Sequence, residues 1–194
     1  MIIKIFNSLN VYSGAITALS TIIIAGLAVY GVREWKRQLK GKTDYEIARR
    51  YLKAALQLRD AIRFVRNPFI SVAEMQLALK EHGFDSKEYE NQNKTNRAVY
   101  SIRWKKVQEA KTNLEAELLE AEVSWGDDAT KAQKSLDDLA KKLFSALMLF
   151  LNENAKLNDE NDKLIYDFGD KDEFSPKINN AIKEIKEFLK PHLK

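Results

Sequence analysis

Residues 5–32 carry no charged side chain, and the stretch Ile22-Ile23-Ile24-Ala25-Gly26-Leu27-Ala28-Val29 inside them has no polar position. A helix rises about 1.5 Å per residue, so roughly 20 helical residues cross a bilayer core about 30 Å thick. The run supplies them, and the pattern predicts one membrane-spanning helix. Beyond it the pattern becomes amphipathic. Ala48, Tyr51, Leu52, Ala55, Leu58, Ile62 and Val65 recur at three–four spacing, which predicts a helix from Asp44 to about Asn67. Gly41-Lys42-Thr43 is expected to break the chain before it, with Thr43 as its N-cap. Pro68 is expected to end it, because the residue before proline is pushed out of the helical region.

Ser71-Val72-Ala73-Glu74 has the form of a capping box and opens a short helix that Gly83 can close. Residues 84–95 are polar and read as a loop or a frayed helix start. Tyr100, Trp104, Val107, Leu114, Leu118, Ala121 and Trp125 then mark one long helix, and Ala129, Ala132, Leu136, Leu139, Leu143, Leu147 and Phe150 a second. Gly126-Asp127-Asp128 joins them, so they are expected to pair as an antiparallel hairpin, with Asp127 or Asp128 as a cap. Residues 143–151 are apolar on more than one face and are expected in the middle of the bundle. Within the acidic stretch 152–174, Leu164-Ile165-Tyr166 is the only apolar cluster. Ser175-Pro176 is expected to cap a last helix carrying Ile178, Ile182, Ile185 and Leu189, which Pro191 ends.

The fold expected is all-α: one N-terminal transmembrane helix followed by a cytoplasmic antiparallel helical bundle with a long helical hairpin. Its divisions are a short tail (1–4), the span (5–32), a basic juxtamembrane linker (33–43) and the bundle (44–194).

Charge gives this arrangement a direction. The formal net charge of +4 conceals an excess of +7 over residues 33–66, where eleven Lys and Arg face four Asp and Glu. Arg33, Lys36, Arg37, Lys40 and Lys42 follow the apolar run directly and are expected to touch the anionic leaflet. By the positive-inside rule they place the bundle in the cytoplasm, the N-terminus outside and the protein in the inner membrane. A cleaved secretory signal is the rival, and the length of the run and its basic flank oppose it. Gly14, Thr17, Ala18, Thr21 and Ala25 form a stripe of small residues on the span, a candidate face for self-association. No Asp, Glu, Lys, Arg or His lies inside the span, which opposes a proton relay or ion-coupled transporter. Arg59, Arg63 and Arg66, three and four apart, are a candidate basic partner surface. With few aromatic residues among them, nucleic acid is the least favoured partner.

Candidate chemistry is sparse. The absence of cysteine removes disulfides, thiolate catalysis and cysteine-ligated metals. His82 and His192 belong to no HExxH or Glu-x-x-His pattern, and the acidic run 159–173 lacks the EF-hand register. Arg66-Asn67 resembles the opening of the Arg-x(4–6)-His motif of HEPN-type ribonucleases, which are also helical bundles. The next histidine, His82, is sixteen positions on, so the second half of the motif is absent. No catalytic residue, cofactor, metal or small-molecule substrate is assigned. The expectation is a membrane-anchored interaction or scaffold protein that binds a cytoplasmic partner or itself. The alternatives are a membrane-perturbing effector whose spans assemble when the bundle is triggered, and a nuclease or other enzyme with an unrecognised site.

Overall fold

A helix without interruption occupies the first third of the chain. In the computed structural model, which describes residues 2–84, 91–152, 159–167, 169 and 172–193, α1 runs Ile2–Arg66. The expected break at Gly41 to Thr43 does not occur. Helical backbone continues through those residues, and the Thr43 hydroxyl donates to the Leu39 carbonyl at 3.1 Å instead of capping a new helix. A lone glycine disfavours a helix by only about 1 kcal/mol, and the good helix formers on either side outweigh it.

The other helices are α2 (Val72–Glu81), α3 (Gln92–Trp125), α4 (Asp128–Phe150), α5 (Asp159–Ile165) and α6 (Phe174–Leu189), and the described residues contain no strand. The chain divides into two units, Met1–Asp44 and Tyr45–Lys194. In the second, α4 packs against α3, α5 and α6, while α2 packs on α3. The main core joins Tyr51, Leu58 and Ile62 of α1 to Leu114 of α3, Leu136, Leu143 and Leu147 of α4, Ile165 of α5, and Ile178, Ile182 and Ile185 of α6. Ala78 and Leu79 of α2 and Ala98 and Val99 of α3 form a smaller cluster. Leu114 and the core members from α1, α4 and α6 are positions that three–four spacing selects, whereas Ala78, Leu79, Ala98 and Val99 lie outside the stripes it marks; the Leu164 to Tyr166 cluster packs on the core as its composition suggests.

Helix ends follow local chemistry with two exceptions. The Ser71 hydroxyl accepts from the Glu74 N–H at 3.2 Å, as a capping box requires. Gly83, at φ 73°, closes α2 with the Phe84 N–H on the Leu79 carbonyl and the Gly83 N–H on the Lys80 carbonyl. This is the paired bonding of a Schellman motif. Gly126 ends α3 at φ 74° and ψ −162°, a conformation open essentially to glycine alone. Asn91 caps α3 by accepting from the Lys94 N–H, so residues 92–95 are helix; residues 85–90 of the expected loop lie outside the described residues. The first exception is α4, where the Asp127 side chain makes no cap bond. The second is α6. The expected cap, Ser175, lies inside the helix, and the Asp172 carboxylate accepts from the N–H groups of Phe174 (2.9 Å) and Ser175 (3.3 Å).

One expectation about the core is corrected. Leu143, Ala146 and Leu147 are buried, but Phe144, Met148 and Leu149 are exposed. The second apolar face of residues 143–151 therefore looks outward.

Polar groups enter the core at Tyr51, whose hydroxyl lies 3.2 Å from Gln133 Oε1 and 3.3 Å from the Ala129 carbonyl. Burial, then the carboxylates of Asp137 and Glu122, push this phenol far above its usual range, and burial does the same to Tyr100. A raised phenol pKa favours the folded state below the unfolded value near pH 10, and that stability is lost as pH rises beyond it. Tyr51 and Tyr100 are thus expected to ionise only with unfolding, above about pH 10. Ultraviolet titration of tyrosinate alongside helical circular dichroism checks this; their ionisation in a fully helical protein would refute it.

Candidate functional site

The first unit is a bare apolar helix with a basic end. Ile16, Leu19, Ile22, Ile24 and Leu27 are each more than 60% exposed among the described residues. Large apolar side chains left open in this number along one stretch of helix need an apolar surrounding. The helix is long and apolar enough to cross a membrane. Two of its hydroxyls bond within the helix: Ser20 donates to the Ile16 carbonyl at 2.8 Å and Thr21 to the Thr17 carbonyl at 2.9 Å. Such internal bonds remove the polar penalty of lipid without any second helix. Gly14, Thr17, Ala18, Thr21 and Ala25 are exposed along this helix, and a side chain added at Gly14 would meet open space.

Arg33, Lys36, Arg37 and Lys40 fall within an arc of about 100° at helical spacing, whereas Lys42 falls opposite them. All five are exposed. Trp35 and Leu39, 61% and 51% exposed, point away from that arc. Arg37 pairs with Glu34 at 2.8 Å, and this bond, helped by Gln38, holds the Glu34 carboxyl below its usual range. The face is therefore cationic with one partly cancelled member.

The three arginines expected to form one basic surface do not act together. Arg59 pairs with Asp60, and Arg63 donates to Asn179 Oδ1, both at 2.8 Å. Arg66 is fully buried. It sits in a closed polar cage. Its Nε donates to the Leu164 carbonyl, Nη1 to Asp172 Oδ2 and Ser175 Oγ, and Nη2 to Asp172 Oδ1 and the carbonyls of Lys163 and Tyr166. A guanidinium has five N–H donors, and all five are used. One side chain thus satisfies the open carbonyls at the end of α5, while its carboxylate partner caps α6. With these bonds made, no Arg66 N–H is left over for a further acceptor. Burial pushes the Asp172 carboxyl up, but bonds from Arg66, Ser175 and the Phe174 and Ser175 amides outweigh it and hold the carboxyl far below the usual range.

A second buried guanidinium, Arg103, carries no signal in the spacing. Its Nε and Nη2 grip both oxygens of Glu74 at 2.6 and 2.9 Å. Nη1 and Nη2 donate to the carbonyls of Val65, Asn67 and Phe69, just where α1 ends. Arg103 thus ties the end of α1 and the start of α2 to α3, and its bond holds the Glu74 carboxyl below the usual range. Both arginines are structural pins.

Elsewhere the chemistry is modest. Among the described residues no three metal-ligating side chains cluster. His82 closes α2, and His192 stacks on Trp125 with ring centres 4.1 Å apart. Four of the carboxylates along α3 are engaged by surface partners: Arg50 holds Glu117 and Glu120, Lys111 holds Glu115, and the Thr130 hydroxyl donates to Glu122. Between α3 and α4 lies a groove of about 370 Å³ lined by Trp104, Val107, Lys111, Ala140, Lys141 and Phe144. The rings of Trp104 and Phe144 meet there with centres 4.9 Å apart.

The chain is thus an all-α protein with one candidate membrane-spanning helix near its N-terminus. No family model, curated protein or solved structure matches it.

Proposed function

We propose that the chain is a single-pass membrane protein of the inner membrane whose helical bundle stands in the cytoplasm and works by protein contact. The observation that carries this reading is the exposed apolar helix that ends in an exposed basic face. The span holds the chain in lipid, and Arg33, Lys36, Arg37, Lys40 and Lys42 rest against anionic headgroups, each worth about 1 kcal/mol near the surface. Thr17, Thr21 and their small neighbours are open for a second span to approach. The bundle supplies the contact surface for a cytoplasmic protein or a second copy.

The absence of cysteine makes the test direct. Single cysteines replacing Asn7 and Lys194 in otherwise native chains are exposed to a membrane-impermeant maleimide on intact cells. The bundle-side cysteine is expected to react only after lysis, with the protein resisting alkaline carbonate extraction. Changing the five collar cations to Glu is expected to reverse or scramble this labelling. A Lys194 position labelled equally before and after lysis in the native chain would sink the orientation.

A further inference from the structure

We propose that copies of this chain join head to tail, with an apolar ridge on α3 of one copy seated in the α3–α4 groove of the next. The inference rests on the reading of the protein as a self-associating membrane protein, and it names the surfaces that do it.

The two halves are on the same bundle and have matching chemistry. The ridge consists of Ala116, Leu119 and Val123, spaced three and four apart on one face of α3. Leu119 is 64% exposed and Val123 89%, so neither belongs to the core of its own chain. Glu115, Glu120 and Glu122 flank them in sequence. The groove has a buried floor, Val107 and Ala140, and an aromatic end made by Trp104 and half-open Phe144. Its charged lining is cationic only, with Lys111 on one wall and Lys141 on the other.

An apolar ridge between glutamates fits an apolar trough between lysines, the usual arrangement for a helix laid in a groove. The carboxylates and lysines have intramolecular partners now: Lys111 with Glu115, Arg50 with Glu120, the Thr130 hydroxyl with Glu122, and Lys141 with Asp138. These are solvent-exposed pairs of the kind worth about 1 kcal/mol or less, so they can exchange for contacts across an interface. Ridge against ridge is disfavoured, because it sets glutamates against glutamates. Ridge and groove are different patches, so the contact is heterologous and propagates into a ring or a row. The exposed apolar area is small for a free dimer. Copies threaded through one membrane meet at high effective concentration, which relaxes that demand.

Two differently tagged full-length chains, Val123→Cys on the ridge and Ser145→Cys beside the groove, are coexpressed and treated with a short bismaleimide in native membranes. A cross-linked pair is expected only between the two different variants. Lys111→Glu with Lys141→Glu should lower the yield about tenfold, and adding Glu115→Lys with Glu122→Lys should restore it. Circular dichroism of each purified chain confirms that helicity is kept. No cross-link in the mixture, a cross-link with Val123→Cys alone, or reversal without rescue overturns the inference. Whether the chains pellet with membranes is read from the same cells and decides the anchoring separately.

Discussion

Asp172→Ala is expected to lower the unfolding free energy of the bundle by about 3–5 kcal/mol, the loss seen when one member of a buried ion pair is removed. The Arg66 and Asp172 side chains are 0% and 3% exposed, so solvent cannot replace the lost partner. The variant leaves a guanidinium charged in the core and also opens the first turn of α6, whose Phe174 and Ser175 amides lose their acceptor. Asp172→Asn separates these effects. It removes the charge but can keep a cap oxygen, so it should fall between Ala and the native chain. Denaturant unfolding followed by the fluorescence of Trp104 and Trp125 gives the three values.

Acidity tests the same pair with a definite sign. The folded carboxyl titrates far below its unfolded value near 3.9, so its stabilisation is complete above about pH 5 and lost as pH falls through the acidic range. Native protein should therefore lose stability below about pH 4 more steeply than Asp172→Ala, which has no such group to protonate. Equal acid profiles, or an Ala variant within about 1 kcal/mol of native, would show that the cage contributes little.

The cage also marks where local sequence reasoning stops. Spacing located the core residues of α1, α3, α4 and α6 because a helix must bury one stripe, and the stripe is visible within a few turns. Ser71, Gly83 and Gly126 were legible for a similar reason, since a cap is settled within about four residues. Arg66 lies 106 positions from Asp172. Asn67 and Pro68 beside it mark a helix end but not a buried carboxylate partner, so three arginines at helical spacing look like one surface. Arg103 was missed outright, because its anchors are Glu74, 29 positions away, and carbonyls freed where Pro68 interrupts α1, and neither leaves a trace in the local side-chain pattern. The cap of α6 was misplaced by the same coupling. Ser175 has the right local form, but its hydroxyl accepts from Arg66 while Asp172 takes the amides. Phe144 and Met148 show the converse failure: apolar character predicts burial, but not whether the chain itself provides the cover.

The apolar run of α1 is the extreme of that converse case, and it carries the other large effect. Leu19→Lys with Ile23→Lys is expected to move the protein from the membrane pellet to the soluble or degraded fraction. Each change replaces a residue that favours the centre of a span with one that disfavours it by about 2.5–3.5 kcal/mol, so the pair shifts insertion by roughly 6–8 kcal/mol. That exceeds the few kcal/mol that the five collar cations can return through anionic lipid. Both positions are more than half exposed in the helix, so neither substitution disturbs a contact within the chain. Lysines placed instead at Lys36 neighbours Trp35 and Leu39, outside the run, should leave fractionation unchanged, since ammonium groups there reach water and headgroups. Carbonate extraction of the three chains is the measurement. If the Leu19 and Ile23 double variant remained in the pellet and resisted extraction, the apolar helix would have to be covered by protein rather than lipid, and the anchor would lose its physical basis.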